Sequence, residues 1–243
     1  MKIRLFSVVE NSPLDAKNVY WTWHDLFRLT ALYVVAQLVM MVLLTQILTR
    51  QFYLEEAVAF FVVYVAALLV VVPFVGHYGF WPQSVYLGLS WADFRRNFWQ
   101  GIGYGLAYRL LPSLPVLVIV LFWTLLGHPP ELPPGNNPVA GQLVFSATWF
   151  AGFLRAVVLA PVVEEYFYRG LLYPLLRSAH GVRKAIVISS VLFGIMHGVS
   201  LIGFWAVFAG IGMALAYENT GSLATPIIAH MLVNAIAILA VGF

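Results

Sequence analysis

The chain contains 243 residues, of which 62 % are hydrophobic and only 9 % are charged. Soluble domains average about 45–50 % apolar and about 25 % charged residues, so this composition excludes a single soluble domain and predicts a polytopic membrane protein. The sequence contains no cysteine, which excludes disulfides, thiolate metal ligands and a cysteine nucleophile. The formal net charge of +3 gives no indication of a nucleic-acid partner.

Long apolar stretches follow one another through most of the chain. A membrane-spanning helix needs about 20 mostly apolar residues. The sequence therefore predicts an all-α transmembrane bundle of about seven spans, or eight if a split or interfacial helix is added. The spans are expected near residues 27–48, 55–76, 101–126, 143–168, 185–200, 202–217 and 223–242. Small-residue patterns that allow close helix contacts occur at Gly101-x3-Gly105, Gly194-x3-Gly198 and Ala206-x3-Gly210.

The distribution of basic residues predicts the orientation of the chain. If the spans alternate, ten Lys and Arg residues lie on the side of the N-terminus and only Arg50 lies on the other. Because basic residues are enriched in cytoplasmic loops, the N-terminus is expected in the cytoplasm. We expect a cytoplasmic segment at 1–26, two peripheral spans within 27–84 and a core at 85–243 that carries the candidate site. The Pro-rich stretch 128–138 is expected to be an outer loop.

Ionisable side chains interrupt the predicted spans in the C-terminal half of the chain. A charged side chain at the centre of a bilayer costs about 2.5–3.5 kcal/mol, so these residues must pair or face a wet cavity. Counted along their helices, Glu164, His197 and Asn234 reach a similar depth of about 18–20 Å from the cytoplasmic face. The ionisable residues are Arg155, Glu164, Glu165, Arg169, His197 and His230.

Helical spacing assigns four of the polar and aromatic residues to common faces. His230 and Asn234 are four residues apart, so their side chains share one face of a helix. Phe193 and His197 have the same spacing, which predicts an aromatic ring beneath the imidazole. Side chains from separate helices are therefore expected to converge on one site.

Two adjacent carboxylates have different predicted roles. Glu165 and Arg169 have the spacing and order of a favourable helical ion pair, which would neutralise one carboxylate. Glu164 points about 100° away on the helix and would remain free for chemistry. Arg109 and Arg155 are expected to extend toward the interface or to pair locally.

These side chains suit the hydrolysis of a peptide bond inside the membrane. Glu164 and His197 can activate water. His230 and Asn234 can donate hydrogen bonds to the oxyanion that forms when water adds to an amide. Other protease chemistries fit poorly, since all three Asp residues lie outside the spans and neither H-E-x-x-H nor G-x-S-x-G occurs.

The order of the motifs carries a specific resemblance. E-E-x-x-x-R at 164–169 is followed by F-x-x-x-H at 193–197 and by H-x-x-x-N at 230–234, within the run YENTGSLATPIIAH and the residues after it. This ordered set resembles the CAAX protease and bacteriocin-processing (CPBP/ABI) family of intramembrane glutamate endopeptidases. The resemblance covers about residues 85–243, and the stretch LGLSWADFRRNFWQG at 87–101 is similar to the lead-in of the family.

The resemblance implies a role for each motif residue. Glu164 and His197 would activate the attacking water, and His230 and Asn234 would line the oxyanion hole. The rest of the motif would be structural, namely Glu165, Arg169 and Phe193. Substrates would be membrane-anchored peptides or proteins, prenylated CAAX proteins among them. The short cytoplasmic connections favour a bacterial or archaeal plasma membrane, and no cofactor is expected.

Three other interpretations remain open from the residues. Glu164, His197 and His230 could hold a zinc ion that activates the water. The same groups could form a proton relay in a small transporter, although the predicted spans show no inverted repeat. The protein could also be a non-catalytic membrane scaffold.

Overall fold

The computed structural model describes residues 12–15, 19, 21–51, 55, 58–59, 61–66, 68, 91–111, 113–129 and 146–241. Within these residues the structure is helical and contains no strand, which confirms the predicted all-α class. The principal helices, in chain order, are α1 (Trp23–Gln51), α2 (Trp91–Leu110), α3 (Ser113–Leu125), α4 (Ala147–His180), α5 (Val182–Met196), α6 (Leu201–Thr220) and α7 (Ala224–Val241). Further helical residues lie at 58–59, 61–66 and 68.

Several helices have the length and composition of membrane spans. Among the described residues, three helical stretches are long and apolar enough to cross a membrane: Asp93–Leu125, Ala147–His180 and Leu201–Thr220. A shorter apolar helix covers Ala224–Leu239. These helices indicate an integral membrane protein.

The helix boundaries follow local breakers that hydrophobicity alone does not reveal. The expected span 101–126 is divided, because α2 ends at Leu110 and α3 begins at Ser113, on either side of Pro112. Proline removes a backbone donor and disfavours the helical conformation of the residue before it. Most of the expected span 55–76 and of the expected loop 128–138 lies outside the described residues.

The chain forms two compact units. The first consists of residues 1–19, 86–136 and 162–233, and the second consists of residues 20–85, 137–161 and 234–243. The first unit therefore contains α2, α3, α5, α6 and most of α7 and α4. It also contains nearly all of the polar residues that the sequence singled out.

Glycines allow the helices of the first unit to pack closely. A Cβ atom at Gly101 would lie 2.7 Å from Cβ of Ile228, and one at Gly105 would lie 2.9 Å from the carbonyl oxygen of Ala229. Helices α2 and α7 therefore approach each other at positions where only glycine fits. The close contact predicted from the Gly101-x3-Gly105 pattern is confirmed.

In the second unit, side-chain caps fix where helices begin. The Asp25 carboxylate accepts the backbone N–H of Thr22 at 2.8 Å, and the Thr22 hydroxyl accepts the N–H of Asp25 at 3.4 Å. This reciprocal capping box starts α1. The backbone hydrogen bond from Thr22 holds the pKa of Asp25 below its usual range. Ser146 caps α4 in the same way by accepting the N–H of Trp149 at 3.2 Å.

Candidate active site

The two adjacent carboxylates lie on α4 between two π-helical stretches. The stretch Arg155–Leu159 precedes them and the stretch Tyr166–Leu172 follows them, while residues Ala160–Glu165 are α-helical. A π-helical turn takes up an extra residue and frequently marks a functional site. The two turns therefore change the direction in which side chains leave α4 on both sides of the carboxylates.

Glu165 is the centre of a buried charged cluster. Its Oε1 atom accepts a hydrogen bond from Nη1 of Arg169 at 2.9 Å and lies 2.9 Å from Nδ1 of His230. Nη2 of Arg169 donates to the carbonyl oxygen of Gly210 on α6 at 2.8 Å. Glu165 and Arg169 are fully buried, and a buried charge is tolerated only when it is paired and hydrogen-bonded. The ion pair predicted from the helical spacing is present.

His230 connects the two carboxylates. An ionised carboxylate only accepts hydrogen bonds, so the contact with Glu165 places a proton on Nδ1 of His230. The other ring nitrogen, Nε2, lies 3.9 Å from Oε2 of Glu164. The imidazole is therefore oriented by one carboxylate and presents its second nitrogen to the neighbouring one.

Phe193 on α5 is the aromatic centre of the same cluster. Its ring centroid lies 4.9 Å from Cζ of Arg169, 5.7 Å from the His230 ring and 4.5 Å from the His197 ring. The ring is almost fully buried. An arginine above an aromatic face gains a cation–π interaction, so Phe193 stabilises the charged cluster and packs against both imidazoles.

His197 follows the last residue of α5 and is exposed in the described structure. Its Nδ1 atom lies 2.8 Å from the carbonyl oxygen of Phe193. A carbonyl oxygen only accepts, so Nδ1 carries the proton and Nε2 of the neutral ring keeps its lone pair. The backbone thus selects the tautomer in which Nε2 is a base.

Glu164 differs from its neighbour in burial and in partners. Its side chain is 32 % exposed, whereas that of Glu165 is completely buried. Among the described residues, Oε2 of Glu164 has no hydrogen-bond partner although the atom itself is shielded. An acceptor that is shielded and unpaired is available to a bound water molecule.

Asn234 lies one turn after His230 on α7, as the spacing predicts, but its described contact is in the second unit. Its Nδ2 atom donates to the carbonyl oxygen of Ala156 at 2.8 Å. The amide group has a second N–H, which this contact does not use. The structure thus gathers the other six motif residues in the first unit: Glu164, Glu165, Arg169, Phe193, His197 and His230.

A second buried charged cluster around Glu218 was missed by the sequence analysis. Glu218 lies one residue beyond the expected end of its span and is fully buried. It accepts hydrogen bonds from the Tyr173 hydroxyl at 2.6 Å and from Nη2 of Arg177 at 2.8 Å. Arg177 also pairs with Asp15, and the Ser12 hydroxyl donates to the Glu218 carbonyl at 2.8 Å. In the sequence, this cluster is indicated only by the position of Glu218 directly after an apolar run.

The candidate zinc ligands do not form a ready ligand set. Within the part of the chain that the structure describes, no group of three or more His, Asp or Glu side chains is arranged to hold a metal ion. Nδ1 of His230 is bound to Glu165, and Nδ1 of His197 is bound to a carbonyl, so Nε2 is the ring nitrogen that each histidine could offer to a metal.

The helices and the buried Glu, Arg and His side chains define an integral membrane protein with a polar site in its first unit. Residues 146–236 match the family model described as "Type II CAAX prenyl endopeptidase Rce1-like". This match includes every motif residue from Glu164 to Asn234, so the resemblance found in the sequence is confirmed for this part of the chain. Searches of curated proteins and of solved structures found no match. The family match supports a CAAX-type protease of the membrane that acts on membrane-associated substrates.

Proposed function

We propose that the protein is an intramembrane glutamate endopeptidase in which Glu164 and His197 activate a water molecule. One observation carries this proposal. Of the two adjacent carboxylates, Glu165 is completely buried and its Oε1 atom is bound by both Arg169 and His230, whereas Glu164 is 32 % exposed and is not held in a close ion pair. Each carboxylate has a shielded Oε2 without a hydrogen-bond partner among the described residues, but only that of Glu164 belongs to a side chain with exposed surface. A general base needs an accessible lone pair beside the water that it deprotonates.

In the proposed reaction the water oxygen attacks the carbonyl carbon of the scissile peptide bond. Glu164 takes the proton that the water loses, with Nε2 of His197 as the second acceptor that orients the water. The same proton then passes to the nitrogen of the leaving amine as the C–N bond breaks. Water is consumed, a carboxylic acid and an amine are released, and the side chains return to their starting protonation states. The acid then ionises, and the amine or the solvent takes up its proton.

His230 and Asn234 are the proposed donors to the oxyanion. Nδ1 of His230 already donates to Glu165, so a hydrogen bond from this ring to the oxyanion requires the imidazolium form. The imidazolium form has a second N–H at Nε2, the nitrogen that faces Glu164. Preorganised donors of this kind stabilise the developing negative charge in a site from which water is excluded. The free N–H of the Asn234 amide is the second proposed donor.

The test compares the N- and C-termini of membrane proteins in cells that produce the wild type or Glu164→Gln at equal levels. New termini that occur only with the wild type are expected. Asp93→Asn is the matched control, because it removes a half-exposed carboxylate that pairs with Arg96 on the surface of α2. Identical termini in all three strains would contradict the proposal and favour a transporter or a scaffold, which proton flux into vesicles would then separate.

A further inference from the structure

An arginine and a tryptophan outside the motif residues form a second polar pair in the first unit. The Cζ atom of Arg109, on α2, lies 5.5 Å from the centre of the Trp205 ring, on α6. Each side chain has a nitrogen that is shielded from solvent and has no hydrogen-bond acceptor among the described residues: Nε of Arg109 and Nε1 of Trp205. Both groups are donors only, so neither satisfies the other.

Among the described residues, no carboxylate compensates the charge of Arg109. Its Nη1 atom donates to the hydroxyl of Ser113 at 3.2 Å, and that hydroxyl donates in turn to the Arg109 carbonyl at 2.7 Å. No carboxylate among the described residues forms an ion pair with Arg109. The guanidinium charge and the two unpaired donors, one on each side chain, favour a ligand that carries negative charge and accepts at least two hydrogen bonds.

We propose that Arg109 and Trp205 bind a carboxylate group of the peptide substrate, an inference that rests on the proposed peptidase function. A carboxylate has two oxygens and one negative charge, which match the two N–H groups and the single guanidinium. Arg109 lies in the last turn of α2, eight residues after Gly101, where the expected membrane span begins. Eight residues correspond to about 12 Å of helix rise, which is expected to place Arg109 within the hydrocarbon region.

Trp205 and the carbonyl that binds Arg169 are on the same helix. Trp205 precedes Gly210 by five residues, and the carbonyl oxygen of Gly210 accepts a hydrogen bond from Arg169. Five residues correspond to about 7.5 Å of helix rise and a rotation of about 140° about the helix axis. Along α6 the pair is therefore less than two helical turns from the level of the charged cluster.

The test measures binding in the Glu164→Gln protein, in which turnover does not interfere. The probe is acetyl-Val-Ile-Leu, compared as the free acid and as the C-terminal amide, with the protein in phosphatidylcholine nanodiscs. The readout is the ¹⁵N–H resonance of the Trp205 indole, assigned by its loss in Trp205→Phe. The free acid is expected to shift this resonance and to bind about 10- to 100-fold more tightly than the amide, as a charge-assisted hydrogen bond predicts.

Added substitutions show whether the preference depends on the pair. With Arg109→Gln the preference for the acid should disappear, whereas Arg95→Gln, an exposed arginine on the same helix, should retain it. Trp205→Phe keeps an aromatic ring but loses the indole N–H. The preference for the acid over the amide should therefore be smaller in this variant, and calorimetry measures the two dissociation constants.

Two results would overturn the inference. The first is an equal response to acid and amide, which would mean that the pair does not bind the carboxylate. The second is a resonance that moves in phosphatidylglycerol nanodiscs without peptide, which assigns the pair to a lipid phosphate. The proposed peptidase function is tested by a different experiment, the comparison of protein termini in cells. It would be contradicted if cells with the wild type and cells with Glu164→Gln had the same termini.

Discussion

Nδ1 of His230 lies 2.9 Å from Oε1 of Glu165, although the two residues are 65 positions apart in the chain. The same carboxylate oxygen accepts Nη1 of Arg169 at 2.9 Å. One buried oxygen thus joins α7 to α4 and fixes the ring of His230. Because this oxygen is occupied twice, Glu165 is suited to hold the site together, and the adjacent Glu164 is suited to the chemistry.

Glu165→Gln should destabilise the protein far more than Glu164→Gln. The glutamine keeps the shape of the side chain but leaves Arg169 buried without a counter-ion, and breaking a buried ion pair typically costs about 3–5 kcal/mol. Glu164 is partly exposed and has no ion-pair partner closer than 3.9 Å, so its replacement should change the free energy of unfolding little. Unfolding in mixed micelles measures both variants. Equal losses would contradict the distinction between the two carboxylates.

Glu164→Gln and His197→Ala should each lower kcat by about 10²–10⁴-fold, the usual contribution of a general base. Both proteins should remain folded, since neither side chain is part of the fully buried cluster. His180→Ala is the matched control, because His180 is an exposed histidine at the end of α4. The measurement is single-turnover cleavage of a substrate identified from the cellular termini. Full activity of Glu164→Gln would refute its assignment as the base.

Asn234→Ala should lower kcat by about 10²–10³-fold with little change in KM, as expected for one oxyanion donor. It should also cost about 1–3 kcal/mol of stability, because the carbonyl of Ala156 loses its side-chain donor. Steady-state kinetics and unfolding on the same preparation separate the two effects. A change confined to KM would assign Asn234 to substrate binding, and a change confined to stability would assign it to the fold.

Glu218→Ala should lower the free energy of unfolding by about 3–5 kcal/mol, because it leaves Arg177 and the Tyr173 hydroxyl without their shared acceptor. The kcat of the folded protein should not change, since Glu218 has no described contact with the motif residues. Asp15→Asn is the matched control. Asp15 is 55 % exposed, and an exposed ion pair contributes only about 0–1 kcal/mol. A loss of kcat without loss of stability would contradict a structural role.

Much of the local arrangement followed from the sequence. The run Glu164, Glu165 and Arg169 predicted an ion pair for the second carboxylate, and that pair is present. Phe193 was predicted to lie beneath the imidazole of His197, and the centroids of the two rings lie 4.5 Å apart. Both relationships are between residues four apart on one helix, and the helical repeat alone brings such side chains together. The catalytic roles remain predictions for the experiments above.

Long-range partners could not be read from the same patterns. The sequence did not indicate that His230 contacts Glu165, that Arg169 reaches the carbonyl of Gly210, or that Asn234 contacts Ala156. Each of these contacts depends on the rotation of a helix about its axis and on the angle at which helices cross. The π-helical turns that flank the carboxylates alter that rotation, and hydrophobic periodicity does not reveal them.

The sequence by itself determined the class of the fold, the membrane location and the motif residues, because apolar run length and four-residue spacing are local properties of the chain. The tertiary structure decided which carboxylate is buried in an ion pair and which stays partly exposed, and it revealed the cluster at Glu218 and the pair of Arg109 and Trp205. Those outcomes depend on how helices distant in sequence pack, since a buried polar group is satisfied only by whichever partner the packing places within hydrogen-bond distance.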